Sequence, residues 1–179
     1  MPSENNVIWV IDSSSIVDLK IIPHALRSQV IRHLDTLVGN GRLIYPRQVL
    51  DELKGYAPPK ALKNDVPYSW AKGHEARACH PDRLVAEAKA ILDAHPDLID
   101  ADSSGKDPAD PYIVALAQKL RSNGVEARIV TNDTRQINNK VSVAAVAGLL
   151  GSPSTVMRIF LRGEGFNYGG RGAPPAPNS

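Results

Sequence analysis

The chain has 179 residues, a one-domain length able to bury a core. Its 42% hydrophobic and 22% charged residues match a soluble globular protein and exclude a disordered or fibrous one. A net charge of +2 permits a nucleic-acid partner without demanding one.

The single cysteine, Cys79, excludes an internal disulfide and suits a reducing compartment. The opening "MPSENN" is polar, with no apolar signal segment after it. The longest apolar stretch, "VAAVAGLL" at 143–150, is too short to span a membrane. The expected setting is cytoplasmic, without membrane contact.

In chain order, "VIWVI" at 7–11 is apolar on both faces, as a central parallel strand is. Residues 25–38 place Leu26, Val30, Leu34, Leu37 and Val38 at helical spacing, and "GNG" at 39–41 stops that helix. "RLIY" reads as a second strand. Pro46 opens a helix, "RQVLDELKGY", ended by "APPK". Two further helices are expected near 67–79 and 82–94. Residues 97–107 are acidic and loop-like, and a helix follows from about Pro108 to Ser122. "ARIVT" is the third strand, and a last helix is expected at 154–163. The tail from Gly163 is Gly/Pro-rich and expected to be mobile, which divides the chain into a domain at 1–162 and a tail at 163–179.

Strands alternating with helices predict an α/β fold with a parallel central sheet, whose ligands bind at the carboxyl ends of the strands. Asp12 and Asp133 each follow a predicted strand and so point to one edge. In the helix after Pro46, Val49, Leu50, Leu53 and Tyr56 form the inward stripe. Glu52 lies at its border, and Asp51 faces solvent. Asp110 shares a face with Ile113, Val114 and Ala117, while Asp107 fits a cap before Pro108.

Four acids, Asp12, Glu52, Asp110 and Asp133, are thus expected to converge. Clustered carboxylates in apolar surroundings require a cation, and hard oxygen donors suit Mg²⁺ or Mn²⁺. Without metal, such a cluster keeps a proton or captures another cation. Each acid also has a plainer role: a helix cap for Asp12 and Asp110, a turn for Asp133, a border charge for Glu52. Ser14, Thr131 and Asn132 are candidate donors to these carboxylates. Arg135 and Lys140 are candidate phosphate contacts on the rim. His74, Cys79 and His80 match no zinc spacing, and "SSGKD" at 103–107 lacks the glycines of a phosphate loop.

The order and setting of these acids resemble the PIN-domain family of metal-dependent ribonucleases. The resemblance rests on "VIDSSSIV" with Asp12 and Ser14, "PRQVLDELKG" with Glu52, "DPYIVALA" with Asp110, and "VTNDTRQI" with Asp133. It covers roughly residues 7–140 and departs in the second DP pair, Asp107-Pro108, and in Ile137 where an aromatic is usual. It implies a PIN-like three-layer sandwich and an endoribonuclease using Mg²⁺ or Mn²⁺ held by Asp12, Asp110 and Asp133, with Glu52 completing the pocket. It also implies a toxin similar to the VapC type, with a protein antitoxin and a possible homodimer. Two alternatives stay open. One is a metal-dependent phosphatase, although a haloacid dehalogenase-type site wants an aspartate where Ser14 stands. The other is a catalytically silent RNA- or partner-binding domain.

Overall fold

The computed structural model describes residues 6–99, 108–136 and 140–168. It is an α/β structure with a four-stranded, wholly parallel sheet flanked by helices. This is the fold class the sequence predicts, and it is consistent with a PIN-like sandwich.

The strands are β1 (Ile8–Ile11), β2 (Leu43–Ile44), β3 (Ala127–Val130) and β4 (Ser154–Thr155), in the spatial order β2-β1-β3-β4. The chain leaves β1 toward one side of the sheet to make β2 and returns on the other side to make β3. The reversal falls between β1 and β3, where open α/β sheets form their binding crevice. Ile11 pairs with Val130, and Asp12 N–H donates to the Val130 carbonyl at 2.9 Å. Asp12 and Thr131 therefore leave the sheet side by side.

The central pair is buried because, Arg128 apart, its residues are apolar on both faces. Val10, Ile11, Ile129 and Val130 have no exposed surface. Helix α1 (Ser13–Ile16) follows β1 directly, with a 3₁₀ turn over Val17–Lys20 after it. Helix α2 (His24–Gly39) then presents Val30, Leu34, Leu37 and Val38 to the core at its predicted spacing. Helix α3 (Arg47–Tyr56) buries Val49, Leu50 and Leu53. Tyr56, expected in the same stripe, is 60% exposed: it is the last residue of the helix and overhangs the end of the core.

The helix expected at 67–79 is broken at His74 into α4 (Val66–Gly73) and α5 (Glu75–Ala78). Helix α6 (Val85–Ala94) packs on α7 (Asp110–Ser122), whose Ile113, Val114, Leu116 and Ala117 are fully buried. Helix α8 (Val143–Leu149) was not expected as a helix. Ser142 caps it by accepting from Ala145 N–H at 3.2 Å. The helix expected at 154–163 begins later, as α9 (Met157–Gly163), because Ser154 and Thr155 pair with β3 as the edge strand.

The chain stays packed beyond Arg162, past the expected start of the tail. Phe166 lies against the core, and Tyr168 is buried with its hydroxyl donating to Asp18 Oδ2 at 2.9 Å. Asp107 and Ile137 lie outside the described residues. Among the described residues, no helix is long and apolar enough to cross a membrane.

Candidate functional site

The pocket forms at the carboxyl ends of β1 and β3. Asp12 is buried there and occupies the cap position of α1, yet its carboxylate makes no capping bond. It is instead held by hydroxyls. Ser14 Oγ and Thr131 Oγ1 donate to Asp12 Oδ2 at 2.7 and 2.8 Å, and Ser13 Oγ donates to Oδ1 at 3.3 Å. Charge-assisted hydrogen bonds of this kind fix a carboxylate's orientation.

Ser13 Oγ is closer still to Glu52 Oε2, so its one hydroxyl proton is shared between Asp12 and Glu52, while Ala109 N–H donates to Glu52 Oε1 at 2.8 Å. These two bonds tie α3 both to the turn after β1 and to the residue before α7. Burial of Glu52 raises its pKa above the usual carboxylate range, against the lowering by those two hydrogen bonds, and the charge of Asp12 adds to the rise.

Asp110 opens α7, followed by Pro111 in the first turn. Burial, then the negative charge of Asp12 and more weakly of Glu52, push its pKa up to about 7, although Lys140 acts in the opposite direction. Lys140 Nζ lies 2.8 Å from Asp110 Oδ2 and 2.8 Å from Asp133 Oδ2. The two carboxylates are thus no further apart than twice that distance. Burial would lower the pKa of Lys140, but the pull of Asp110 and Asp133 outweighs it and holds the ammonium firmly charged.

Asp133 is also held from the backbone of another element, rather than closing a turn of its own. Its Oδ2 accepts from Val143 N–H at 3.1 Å, at the start of α8. The structure therefore links all four acids, by the charge of Asp12 on Glu52 and Asp110 and by the bridge of Lys140 from Asp110 to Asp133.

Two of the expected donors, Ser14 and Thr131, do bond Asp12. Thr131 Oγ1 also accepts from Asp133 N–H at 3.0 Å and so spaces the two aspartates. Asn132 does something else. Its Nδ2 donates to the Ser14 carbonyl at 3.1 Å and its Oδ1 accepts from Met157 N–H at 3.0 Å, stitching α1 and α9 to the end of β3. Lys140, expected on the rim as a phosphate contact, faces into the pocket because two carboxylates attract it. Asp51 is exposed as expected, with only Arg47 beside it at 3.7 Å.

Ser13 and Tyr56 were missed as pocket residues. Burial and then Glu52, Asp12 and Asp110 push the Tyr56 hydroxyl up to about 12. The residue as a whole is 60% exposed, so the charges of those three acids act on the hydroxyl beside its burial.

A cleft of about 630 Å³ adjoins the acids, sharing Ser14, Asn132 and Asp133 with them. Arg135 and Arg158 also line it, and among the described residues neither forms an ion pair. The third cation there, Lys20, is paired with Asp65 at 2.6 Å. His74 is engaged by Asp35 at 2.8 Å, so it forms no soft-ligand site with Cys79 and His80.

Among the described residues, no group of three His, Cys, Asp or Glu side chains is arranged to hold a metal ion as the side chains stand. The donor chemistry still fits a hard divalent cation. The converging groups are all carboxylates, the oxygen donors such an ion prefers, and burial first and the charge of Asp12 second keep the Asp110 pKa at about 7 even with Lys140 beside it.

No curated protein and no solved structure matches the chain. A family model described as "Domain of unknown function (DUF4411)" matches residues 9–168. That span takes in every residue named in the pocket and ends at Tyr168, the last described residue. The chain belongs to the DUF4411 family of domains of unknown function.

Proposed function

We propose that the protein is a metal-dependent endoribonuclease, and that it acts as the toxin of a toxin–antitoxin pair. The observation that carries the enzymatic reading is the convergence of Asp12, Glu52, Asp110 and Asp133 at the switch point of a parallel sheet, beside a cleft lined by Arg135 and Arg158, which form no ion pair among the described residues. The toxin role rests on the motif resemblance alone.

Asp12, Asp110 and Asp133 would hold Mg²⁺ or Mn²⁺. When bound, such an ion neutralises phosphate charge and activates water. The hydroxyls of Ser13, Ser14 and Thr131 keep Asp12 oriented before any ligand arrives. Glu52, positioned from both oxygens and with a raised pKa, is the group suited to receive the proton of the attacking water. Arg135 and Arg158 bind the backbone phosphates of a single strand lying in the cleft. A phosphatase of the haloacid dehalogenase type is disfavoured, because Ser14 spends its hydroxyl proton on Asp12 where that chemistry needs a carboxyl.

The test is an assay with labelled RNA and, separately, p-nitrophenyl phosphate, each with Mn²⁺ or EDTA. RNA cleavage that needs Mn²⁺ and disappears in Asp12→Asn and Asp133→Asn is expected. Ester turnover without RNA cleavage would replace the nuclease with a phosphatase. Inactivity on both would leave a binding domain.

A further inference from the structure

We propose that Lys140 is a built-in counter-cation, which bridges Asp110 and Asp133 in the metal-free protein and must be displaced when a divalent ion binds. The inference rests on reading the pocket as a metal site and assigns its regulation to a residue of the chain itself.

The geometry is that of a cation between ligands. One ammonium touches two carboxylates, at 2.8 Å each, that belong to different elements: the first turn of α7 and the loop after β3. Two half-buried carboxylates this close are stabilised by positive charge between them. Asp133 Oδ2 takes two donors, Lys140 Nζ and Val143 N–H. The backbone donor is fixed by α8. A cation arriving at that oxygen can therefore replace only Lys140.

Release is mechanically simple. The Lys140 side chain is 27% exposed, against 15% for Asp110 and 16% for Asp133, so it enters the pocket from its mouth. The backbone just downstream is anchored, with Val141 N–H donating to the Asp97 carbonyl at 2.7 Å. Rotation about the four-carbon stem returns the ammonium to water without moving that anchor.

Two consequences follow. Divalent ions bind more weakly than the carboxylates alone would allow, so the site loads only above a threshold of free metal. The freed ammonium then stands at the mouth of a pocket that shares Asp133 with the cleft of Arg135 and Arg158, where it adds a cation for phosphate. One residue thus guards the empty pocket and strengthens binding of a polyanion once the pocket is filled.

Two measurements test this. Isothermal titration of Mn²⁺ into wild type and Lys140→Met should show roughly tenfold tighter binding in the variant, within the usual range of such couplings. In the wild type, amine-reactive labelling followed by peptide mass spectrometry should show Lys140 becoming roughly fivefold or more reactive in Mn²⁺. The exposed Lys54, on the solvent side of α3, should not change. If Lys140→Met fails to fold, the labelling of the wild type decides alone. Equal Mn²⁺ affinity with unchanged labelling would overturn the role of Lys140 and leave the metal site standing. No Mn²⁺ binding by either protein would overturn the metal site and this inference with it.

Discussion

The displaced titration of Asp110 gives the most quantitative prediction. Its carboxyl ionises near 3.8 when free and at about 7 in the folded chain. The folded state therefore holds a proton that the unfolded chain has already lost. Stability linked to that proton is complete below about pH 4 and is lost as pH rises to about 7. At 1.36 kcal/mol for each pH unit of displacement, the loss is on the order of 4 kcal/mol. The perturbation is Asp110→Asn, which keeps the shape of the neutral carboxyl and cannot ionise. In EDTA, urea unfolding at pH 5 and at pH 7.5 should show the wild type losing about 2–3 kcal/mol more than the variant between the two, the part of the total that falls in this window. The comparison cancels every other titrating group, including Glu52, to the extent that the substitution leaves them alone. Parallel pH profiles for the two proteins would refute the reasoning, since Asp110 would then ionise as it does in water.

Four further outcomes can be checked. Thr131→Val leaves Asp12 Oδ2 short of a donor and Asp133 N–H without its acceptor, and should lower stability by about 1–3 kcal/mol in thermal melts. Asp51→Asn removes only a solvated ion pair and should stay within about 0.5 kcal/mol of wild type, with RNA cleavage unchanged. Arg135→Ala and Arg158→Ala should each weaken RNA binding and reduce its dependence on salt by about one phosphate contact, read from affinities across a salt series. Tyr168→Ala should cost about 3 kcal/mol in urea unfolding, where a residue in an unpacked tail would cost nothing.

The parts of the fold legible in the sequence are those with a strong local pattern. Strand β1 is apolar on both faces, β3 is apolar apart from Arg128, and α2, α3 and α7 repeat apolar residues at helical spacing over ten residues or more. Strand β4 is only Ser154 and Thr155, held by backbone pairing at the sheet edge, so it has no hydrophobic signature. Helix α8 is short and rich in alanine, and its one clear sign was Ser142 in the capping position. The four acids could be grouped because two sit after strands and two sit on helices with a definable inner face. Helical phase failed for Tyr56, since phase gives direction but not how far the core extends. The place of Lys140 was hidden for another reason: its partner Asp110 lies 30 residues away, and no spacing rule links a loop lysine to the first turn of a distant helix. Ser13 was overlooked beside Ser14 because its partner Glu52 comes from another element.

The bond from Thr131 to Asp12 joins residues 119 positions apart in the chain, and this bears on the order of synthesis. A ribosome adding about 5–20 residues per second makes Thr131 roughly 6–24 s after Asp12. Until then the strand that carries Asp12 lacks its central neighbour, and no nascent fragment ending before residue 127 contains the sheet that aligns the acids. The wall of the cleft formed by Val156, Arg158 and Tyr168 arrives later still. The proposed chemistry would therefore begin only once the chain had been made through most of its described length.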